Sequence, residues 1–316
     1  MMKSEPFDRS GLPVLRMCDA DGDEKREQCR LIVGSAADDL IVASLELHCG
    51  EGELHGRAVR IAGIGALFTP PEQRGRRYGA ALVAMVVDRA RHDGFHLALL
   101  FSDIGADYFT RLGFSPLPGG EASCVTVLPA PWPGEPAWVG GADPPQGVPG
   151  LRTGGPGDFD AIVRLHEGYE ASAAFRLMRS RRAWDRLLLR PEAGRGPRQG
   201  GERDIWMVDD RSGPVAYAVL QEQGEVLRWL EHGARPGGDG RLGDLFWAAI
   251  ARARRHGLSR LEGWSLPRGA AGEPLYPIAR RARRRPLLMA RALQPDITLT
   301  ALRDATVCRI GELDRF

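Results

Sequence analysis

The sequence predicts a protein of the α/β (α+β) class with two tandem domains, each built on a mixed, mainly antiparallel sheet flanked by helices. Three observations predict this architecture. Segments with strand periodicity occur in pairs around short turns, amphipathic helical segments follow glycine-rich turns, and one segment dense in Pro and Gly separates two similar halves. With 316 residues the chain exceeds the usual size of one domain, and each half is long enough to bury its own core.

The domain boundary is predicted between residues 131 and 150. This stretch reads PWPGEPAWVGGADPPQGVPG, and neither a helix nor the interior of a sheet continues through so many Pro and Gly residues. Residues 1–130 then form the first domain, residues 131–150 a linker, and residues 151–316 the second domain.

In the first half, a charged N-terminal segment precedes a regular run of strands and helices. A short helix is expected around Asp23–Leu31. The strands DLIVASLELHC and HGRAVRIAGIGALF are expected to pair as a hairpin around the turn GEGEL. The strand LALLF, a short helix in YFTRLGF and a strand over Val125–Leu128 follow later. Between them, a helix over Gly79–His92 presents an apolar face to the sheet, made of Leu82, Met85, Val86 and Ala90.

The second half repeats this plan. Helices over Asp158–Gly168 and Ser180–Leu189 precede the strands IWMVDD, PVAYAVLQ and EVLRWLEHGA, and a glycine-rich loop then leads into a helix and the strand RLEGWSL. In that loop Pro236 has no N–H to donate, and the carboxylate of Asp239 repels phosphate. The arginine-rich run Arg280–Arg285 lies between two apolar stretches, which predicts a solvated hairpin.

Composition and charge exclude several classes of protein. The formal net charge is only +2, so neither nucleic acid nor an anionic membrane is expected as a partner. No apolar run approaches twenty residues, and the N-terminus lacks the apolar core of a signal peptide. The seven His residues show no metal-ligand spacing. Five widely spaced cysteines without a C-x-x-C pair predict reduced thiols, a cytoplasmic location and no zinc site; they are Cys18, Cys29, Cys49, Cys124 and Cys308.

The chemistry is concentrated in the segment Ile61–Phe114. Its strand IAGIGALF delivers the turn PPEQRGRRYG onto a helix N-terminus, where backbone N–H groups and the positive end of the helix dipole converge. This arrangement favours phosphate. Surface turns use the same residue types, but here LALLF and the YFTRLGF ending complete a strand, helix, strand unit.

In the order and spacing of these pieces the chain resembles the GNAT superfamily of N-acetyltransferases, whose pyrophosphate loop reads Q/R-x-x-G-x-G/A. Arg74 and Gly79 match the outer positions, and Gly75 follows Arg74 as is common, whereas Arg77 stands where the family usually has glycine. The segments FTPPEQRG and ALLFSDIGADYFTRLGF are similar to the fungal lysine N-acetyltransferases and their bacterial relatives. The resemblance implies two tandem GNAT-like domains, a degenerate second one, and acetyl-CoA as co-substrate.

The resemblance also implies which residues bind acetyl-CoA. The main chain of the strand before the loop would bind the pantetheine arm and stabilise the oxyanion. The N–H groups of the loop would bind the pyrophosphate, together with an arginine side chain. The complete expected set is Ala66, Leu67, Phe68, Arg74, Gly75, Arg76, Arg77, Tyr78, Gly79, Ala80, Ser102 and Phe109.

Acetyl transfer to an amine also needs a base and an acid. Family members carry a tyrosine near the CoA sulfur where this chain has Phe109, and the chain has Tyr108 one residue earlier, so Tyr108 is either the proton donor or a packing residue. Glu46 is the candidate base on the strand bordering the acceptor cleft, or else an exposed strand residue, and His48 shares its face. Asp103 is expected to cap the YFTRLGF helix.

A further candidate base is the C-terminal carboxylate of Phe316, by similarity to tandem-GNAT enzymes of the mycobacterial aminoglycoside-acetylating type. The resemblance therefore implies an N-acetyltransferase that acts on a primary amine of a small molecule, lysine-like or aminoglycoside-like, with a homodimer left open. Two alternatives stay open as well. One is a non-catalytic acyl-CoA-binding or regulatory protein, which Arg77 and Phe109 favour, and the other is an arginine-rich nucleic-acid binder.

Overall fold

The computed structural model describes residues 14–20, 23–33, 40–117, 121–127, 135–140, 148–189, 203–267, 279–282, 287–300, 302 and 308–309. These residues form two mixed, mainly antiparallel sheets flanked by helices, which confirms the predicted class. Strands and helices are numbered along the chain. The helices are α1 (Tyr78–His92), α2 (Asp107–Thr110), α3 (Phe159–Glu170), α4 (Arg181–Leu189) and α5 (Asp239–Arg255).

The first sheet has the strand order β1-β2-β3-β4-β5-β15-β6, and β9 and β16 extend it from the edge of β3. Neighbouring strands are antiparallel except for the pairs β4/β5 and β9/β16. Its strands are β1 (Val14–Ala20), β2 (Asp23–Val33), β3 (Leu40–Leu54), β4 (Arg57–Phe68), β5 (Leu97–Ser102), β6 (Ser115–Pro116), β9 (Phe175–Met178), β15 (Leu287–Ala292) and β16 (Cys308–Arg309).

The second sheet has the order β14-β7-β13-β12-β11-β10-β8. Here β12 and β13 form the parallel pair within the described strands. The strands are β7 (Glu121–Thr126), β8 (Leu151–Thr153), β10 (Arg203–Asp210), β11 (Gly213–Gln223), β12 (Val226–Ala234), β13 (Arg260–Gly263) and β14 (Ala279–Ala282). In both sheets, therefore, a strand, a loop, a helix and a parallel strand follow one another, as the sequence predicts.

The two sheets exchange strands across the predicted boundary. Strand β7, from the first half of the chain, pairs with β13 in the second sheet, while β9 and β15 from the second half pair with β3 and β5 in the first. The division at residues 131–150 stays a prediction, but the sheets do not follow it. The hairpin predicted at Arg280–Arg285 is wrong, because β14 and β15 belong to different sheets. Leu288, Met289 and Ala290 are buried, which suits β15 to a position beside β5 rather than to a solvated hairpin.

Two further local predictions differ from the structure. The helix expected over Asp23–Leu31 is strand β2, which pairs with β1 on one side and β3 on the other, so sheet pairing overrides the helix-forming composition of this segment. The predicted turn GEGEL lies inside β3, and the chain turns instead at His55 and Gly56, both with positive φ (49° and 79°), as a two-residue hairpin requires.

Alternate residues of the strands face different cores. In the first sheet, Ala62 and Ile64 face α1, whereas Ile61 faces a second cluster formed with β9, β15 and the segment 293–302. In the second sheet, Ala218 packs towards α5 and Val219 towards α3 and α4. Helices thus cover both faces of the second sheet, while α1 covers one face of the first.

Candidate functional site

A gap opens between the two parallel strands of the first sheet. Strands β4 and β5 pair from Ile61 with Leu97 to Ile64 with Leu100, but β4 continues to Phe68. A bulge interrupts its pairing with β3 here, and Ala66 lies in the left-handed region with φ 48°. The backbone of residues 65–68 therefore borders the gap on the β5 side, where a ligand can take the place of a strand.

The loop after β4 ends at the N-terminus of α1. Tyr78, Gly79 and Ala80 open the helix, and their N–H groups precede its first hydrogen bond, which Ala81 donates to the Arg77 carbonyl (3.0 Å). No side chain caps this end, and the first turn contains no acidic residue. The side chains of Arg74, Arg76 and Arg77 are exposed around it. Free N–H groups at a helix N-terminus beside positive side chains are suited to an anion, and the phosphate site stays a prediction.

Arg77 shows why this loop position usually holds glycine. It is the residue before α1 and adopts φ 63° and ψ 15°, a left-handed conformation that costs an L-residue about 1–2 kcal/mol. Gly75, two residues earlier, has φ 78°. The departure from the family pattern thus leaves the turn intact at the expense of local strain, and the exposed Arg77 side chain adds a positive charge beside the helix N-terminus.

The tyrosine hydroxyl of the closing helix points at the α1 N-terminus. A Cβ added at Gly79 would lie 3.0 Å from Thr69 Oγ1 and 3.1 Å from Tyr108 Oη, so the two hydroxyls converge on this glycine. Burial raises the pKa of Tyr108, and nearby Arg111 partly offsets this, so the hydroxyl stays protonated at neutral pH. Phe109 is 6% exposed and packs edge-on against Phe114 in the core, and its expected contact with the cofactor stays a prediction.

Other expected site residues are placed differently. Ser102 is buried and donates a hydrogen bond to the Gly105 carbonyl (2.5 Å), which commits its hydroxyl to the turn. Asp103 does not cap α2, because that helix begins four residues later with Ala106 as its N-cap. Phe316 lies outside the described residues.

On the face of the sheet opposite α1, β4 carries two glycines at alternate positions, the buried Gly63 and the partly exposed Gly65. Glu46 pairs with Gly65 and His48 with Gly63, so both side chains stand beside a glycine, with Glu46 Oε2 and His48 Nε2 3.5 Å apart. Both are partly exposed. On the other side Gly63 pairs with Leu99, and Phe101 follows two residues later on the same face. We call this feature the glycine trough.

Trp264 extends the far wall of the trough. It follows β13 in the second sheet, and its ring packs on Phe101 with centroids 5.6 Å apart and planes at 45°. Sequence reasoning missed this residue, because it comes from the other half of the chain. The alternation of Gly63 and Gly65 in IAGIGALF was the available signal, since glycines inside a strand often mark the close approach of a ligand.

The second sheet holds a buried polar network at the corresponding strand. Glu231 on β12 accepts hydrogen bonds from Arg179 (2.5 Å) and from the Tyr217 hydroxyl (2.8 Å), and its Oε1 lies 3.8 Å from His166 Nδ1. Burial, chiefly, raises the pKa of Tyr217 well above its usual range. A small pocket lined by His166, Arg179 and Trp184, among others, adjoins this network. Nothing in the sequence distinguished these residues from an ordinary core.

Metal sites and membrane-spanning helices are both absent from the described part of the chain. No group of three or more His, Cys, Asp or Glu side chains there is arranged to hold a metal ion. None of the described helices combines the length and the apolar character needed to cross a bilayer.

Comparison with known proteins supports this geometry. Residues 17–117 match the model of the acetyltransferase (GNAT) domain, a segment that includes the gap, the loop and the trough residues of β3 to β5. A comparison with curated proteins gives no match.

Solved structures share the fold at low sequence identity. A conserved protein of unknown function from Enterococcus faecalis V583, a probable N-acyltransferase, superposes with TM-score 0.61 and 14% identity, covering 85% of this chain and 62% of that one. A GCN5-related N-acetyltransferase from Kribbella flavida gives 0.56 and 18%, covering 84% and 60%. The chain thus spans about three fifths of each. Saccharomyces cerevisiae N-myristoyltransferase with bound myristoyl-CoA gives 0.54 and 11%, covering 98% of this chain and 91% of that chain.

Proposed function

We propose that this chain, whose residues 17–117 match the model of the acetyltransferase (GNAT) domain, is an acyl-CoA-dependent N-acyltransferase that moves an acetyl group from acetyl-CoA to a primary amine of a small molecule. The observation that carries the proposal is the coincidence of the β4/β5 gap with an uncapped α1 N-terminus ringed by exposed arginines. Acetyl-CoA needs both features, because its pantetheine arm requires a slot and its pyrophosphate requires a cluster of hydrogen-bond donors. The lysine-like and aminoglycoside-like acceptors implied by the resemblance are the starting candidates.

The site for acetyl-CoA, the acyl donor, uses main-chain groups more than side chains. The N–H groups of residues 75–80 bind the pyrophosphate, because the Arg74 N–H already donates to the Pro71 carbonyl, and the side chains of Arg74 and Arg76 supply charge-assisted hydrogen bonds. Arg74 is held in place by a hydrogen bond from its Nε to the Thr69 carbonyl (3.2 Å). The backbone of Ala66, Leu67 and Phe68 binds the arm and stabilises the developing oxyanion, because its polar groups border the gap rather than a strand.

The acceptor approaches through the glycine trough on the opposite face. Glu46, beside His48, takes one proton from the ammonium form of the acceptor, and the lone pair of the resulting neutral amine attacks the thioester carbon. The second proton, which the nitrogen loses as it becomes an amide, restores the Tyr108 hydroxyl after that hydroxyl has protonated the sulfur. The new C–N bond forms as the C–S bond breaks, and the electron pair of that bond leaves with the thiolate. The Tyr108 hydroxyl, protonated at neutral pH, returns a proton to the sulfur. Phe109 takes no part because its ring is in the core.

The second half has a supporting role in this proposal. It contributes Trp264 to the acceptor side and binds no acyl-CoA, because the loop before α5 is short and Asp239 occupies the first turn of that helix. A cytoplasmic location is part of the proposal, on the ground of the five widely spaced cysteines of the sequence.

Protection against heat tests the donor site. A ligand that binds only the folded state raises the melting temperature, so millimolar acetyl-CoA should shift the melting curve upward. Gly79→Glu should abolish the shift, because its carboxylate would stand where the phosphates bind. The matched change Gly240→Glu, at a position with open space in the first turn of α5, should leave it intact. If Gly79→Glu does not fold, Arg76→Glu on the exposed loop should reduce the shift instead.

The outcomes separate the candidate functions. A melting curve unmoved by acetyl-CoA would contradict the donor-site assignment. A shift without release of free CoA in the presence of any of a panel of amines would point to a non-catalytic acyl-CoA-binding protein. A shift that disappears in Gly240→Glu and persists in Gly79→Glu would move the site to the second half.

A further inference from the structure

The two hydroxyl groups that converge on the first turn of α1 come from different elements. Thr69 follows the last residue of β4, and Tyr108 lies in α2. A Cβ added at Gly79 would lie 3.0 Å from Thr69 Oγ1 and 3.1 Å from Tyr108 Oη, both closer than an ordinary van der Waals contact. The two oxygen atoms are therefore at most about 6 Å apart, a separation that two O–H···O bonds of about 2.7–2.8 Å each nearly span through one shared water molecule.

Both hydroxyls are available for such a bond. Among the described residues, neither hydroxyl makes a hydrogen bond, whereas Thr110 Oγ1 in the same helix as Tyr108 donates to the Ala106 carbonyl (3.0 Å). The main chain of Thr69 is held in place, because its carbonyl accepts a hydrogen bond from Arg74 Nε (3.2 Å) and a proline follows it. The Thr69 hydroxyl thus stands at a fixed place in front of α1 without a task in the fold.

The surroundings of Tyr108 make its hydroxyl a weak acid. Burial raises the pKa of Tyr108, and the charge of Arg111 in the same helix offsets this only in part. The guanidinium groups of Arg74, Arg76 and Arg77 are exposed around the N-terminus of α1. A hydrogen bond donated to the phenolate oxygen would favour the ionised form and so ease the transfer of the proton.

We infer that Thr69 is a positioning residue for the proton transfer, and that its hydroxyl donates a hydrogen bond to the Tyr108 oxygen through one water molecule in front of Gly79. This inference rests on the proposed function and extends it by one residue. When the Tyr108 proton passes to the sulfur, the phenolate accepts this hydrogen bond, and no covalent bond of Thr69 breaks. Glycine suits position 79 because a Cβ there would compete with the water molecule for the space between the hydroxyls.

A double-mutant cycle tests the inference, with steady-state kinetics on the amine that releases CoA fastest. Thr69→Val, which replaces the hydroxyl by a methyl group, should lower kcat at least about tenfold and leave the KM for acetyl-CoA unchanged. Thr69→Ser, which keeps the hydroxyl, should restore most of the rate. In a Tyr108→Phe background, Thr69→Val should lower kcat by less than about twofold, because the group on which Thr69 acts is gone. Thr110→Val is the matched control and should change neither constant.

Two kinetic results overturn the inference. One is a loss of kcat in Thr69→Val that is equally large in the Tyr108→Phe background, and the other is an unchanged kcat with a raised KM for acetyl-CoA, which would mean that the Thr69 hydroxyl binds CoA itself.

The proposed function can fail separately, if no amine releases CoA or if Tyr108→Phe leaves kcat unchanged. Titration of Tyr108 then decides the inference, followed by NMR of protein labelled with ¹³Cζ-tyrosine, where Tyr108→Phe identifies the signal. The pKa of Tyr108 should be higher in Thr69→Val than in the unaltered protein and in Thr110→Val, because the donor to the phenolate is lost. An unchanged pKa of Tyr108 in Thr69→Val contradicts the inference.

Discussion

The two sheets contain the same strand, loop, helix and strand unit, yet only the first leaves its loop open to a ligand. Between β4 and α1 the chain has nine residues, 69–77, whereas between β12 and α5 it has four, 235–238. The short loop is packed against β11, since a Cβ at Gly238 would lie 2.9 Å from Val215 Cγ1. Loop length and crowding, rather than topology, thus distinguish the two units.

The strands before the two loops, β4 and β12, also differ in how exposed they are. Beyond its parallel pairing, β4 is partly exposed from Gly65 to Phe68, whereas β12 is buried from Leu230 to Ala234. In β12 a charged network of Glu231, Arg179 and Tyr217 occupies the interior beside α3. The same unit therefore keeps its backbone available in one sheet and buries polar side chains in the other.

The largest expected effect concerns the two tyrosines. A positioned general acid contributes about a hundred- to ten-thousand-fold in rate, so Tyr108→Phe should lower kcat by at least about a hundredfold with little change in acetyl-CoA affinity. Tyr217→Phe, in the second sheet, should leave kcat nearly unchanged and reduce stability by about 1–3 kcal/mol, because Glu231 loses a buried hydrogen-bond donor. Steady-state kinetics and urea unfolding measure the two quantities. A loss of kcat under about threefold in Tyr108→Phe would mean that this tyrosine only packs.

The exchanged order of Tyr108 and Phe109 offers a sharper form of this test. The double change Tyr108→Phe with Phe109→Tyr restores the family order, but the structure places the ring at position 109 in the core. We expect the double variant to be as slow as Tyr108→Phe and less stable, since it buries a phenolic hydroxyl beside Phe114. A rate equal to that of the unaltered protein would show that the helix presents position 109 to the sulfur instead.

The next largest effect is expected from replacing Glu231 in the second sheet, in comparison with Glu46 in the first. Glu231→Ala leaves the buried Arg179 guanidinium without its carboxylate and should cost about 3–5 kcal/mol in the free energy of unfolding. Glu46→Gln should change stability by less than about 0.5 kcal/mol, because the side chain is partly exposed, while it lowers kcat. Equal losses of stability in the two variants would contradict the expectation that Glu231 stabilises its sheet and that Glu46 does not.

The smallest expected effect lies in the loop before α1. Arg77→Gly should relieve the left-handed strain and raise the free energy of unfolding by about 1 kcal/mol. Gly75→Ala, at φ 78° with open space around it, is the reverse change and should lower it by about the same amount. Urea unfolding checks both. If Arg77→Gly stabilises the protein but weakens the heat shift by acetyl-CoA, the arginine side chain contributes to binding despite its strain.

The sequence was sufficient for the parts of the fold that depend on neighbouring residues. The periodicity of Gly79–His92 predicted α1, and the order of strand, loop, helix and strand predicted the unit of β4, α1 and β5. These features are decided within a few residues, where propensity, spacing and turn chemistry act directly.

The remaining parts depend on partners far away in the chain. The strand β2 is a strand because β1 and β3 pair with it, and Trp264 reaches the trough because β13 ends opposite β5. No local signal tells whether Tyr108 or Phe109 faces the gap, since the two differ by about 100° on a helix of four residues. Tertiary packing decides which strands pair and which aromatic ring faces the gap, and a single sequence does not show that packing.

The strand exchange between the sheets has a consequence for synthesis of the chain. Arg91 Nε donates a hydrogen bond to the Leu293 carbonyl, 202 positions later, and β5 pairs with β15 just before that residue. A nascent chain that has left the ribosome as far as the linker therefore carries α1 and β5 but lacks the strand that covers β5. Its apolar edge, Leu97–Ser102, stays open to pairing with other chains until β15 emerges, about 7 to 30 seconds later at elongation rates of about 5–20 residues per second. The first sheet is thus completed by a strand from the second half of the chain, so the half that carries the loop before α1 waits for the half that is made after it.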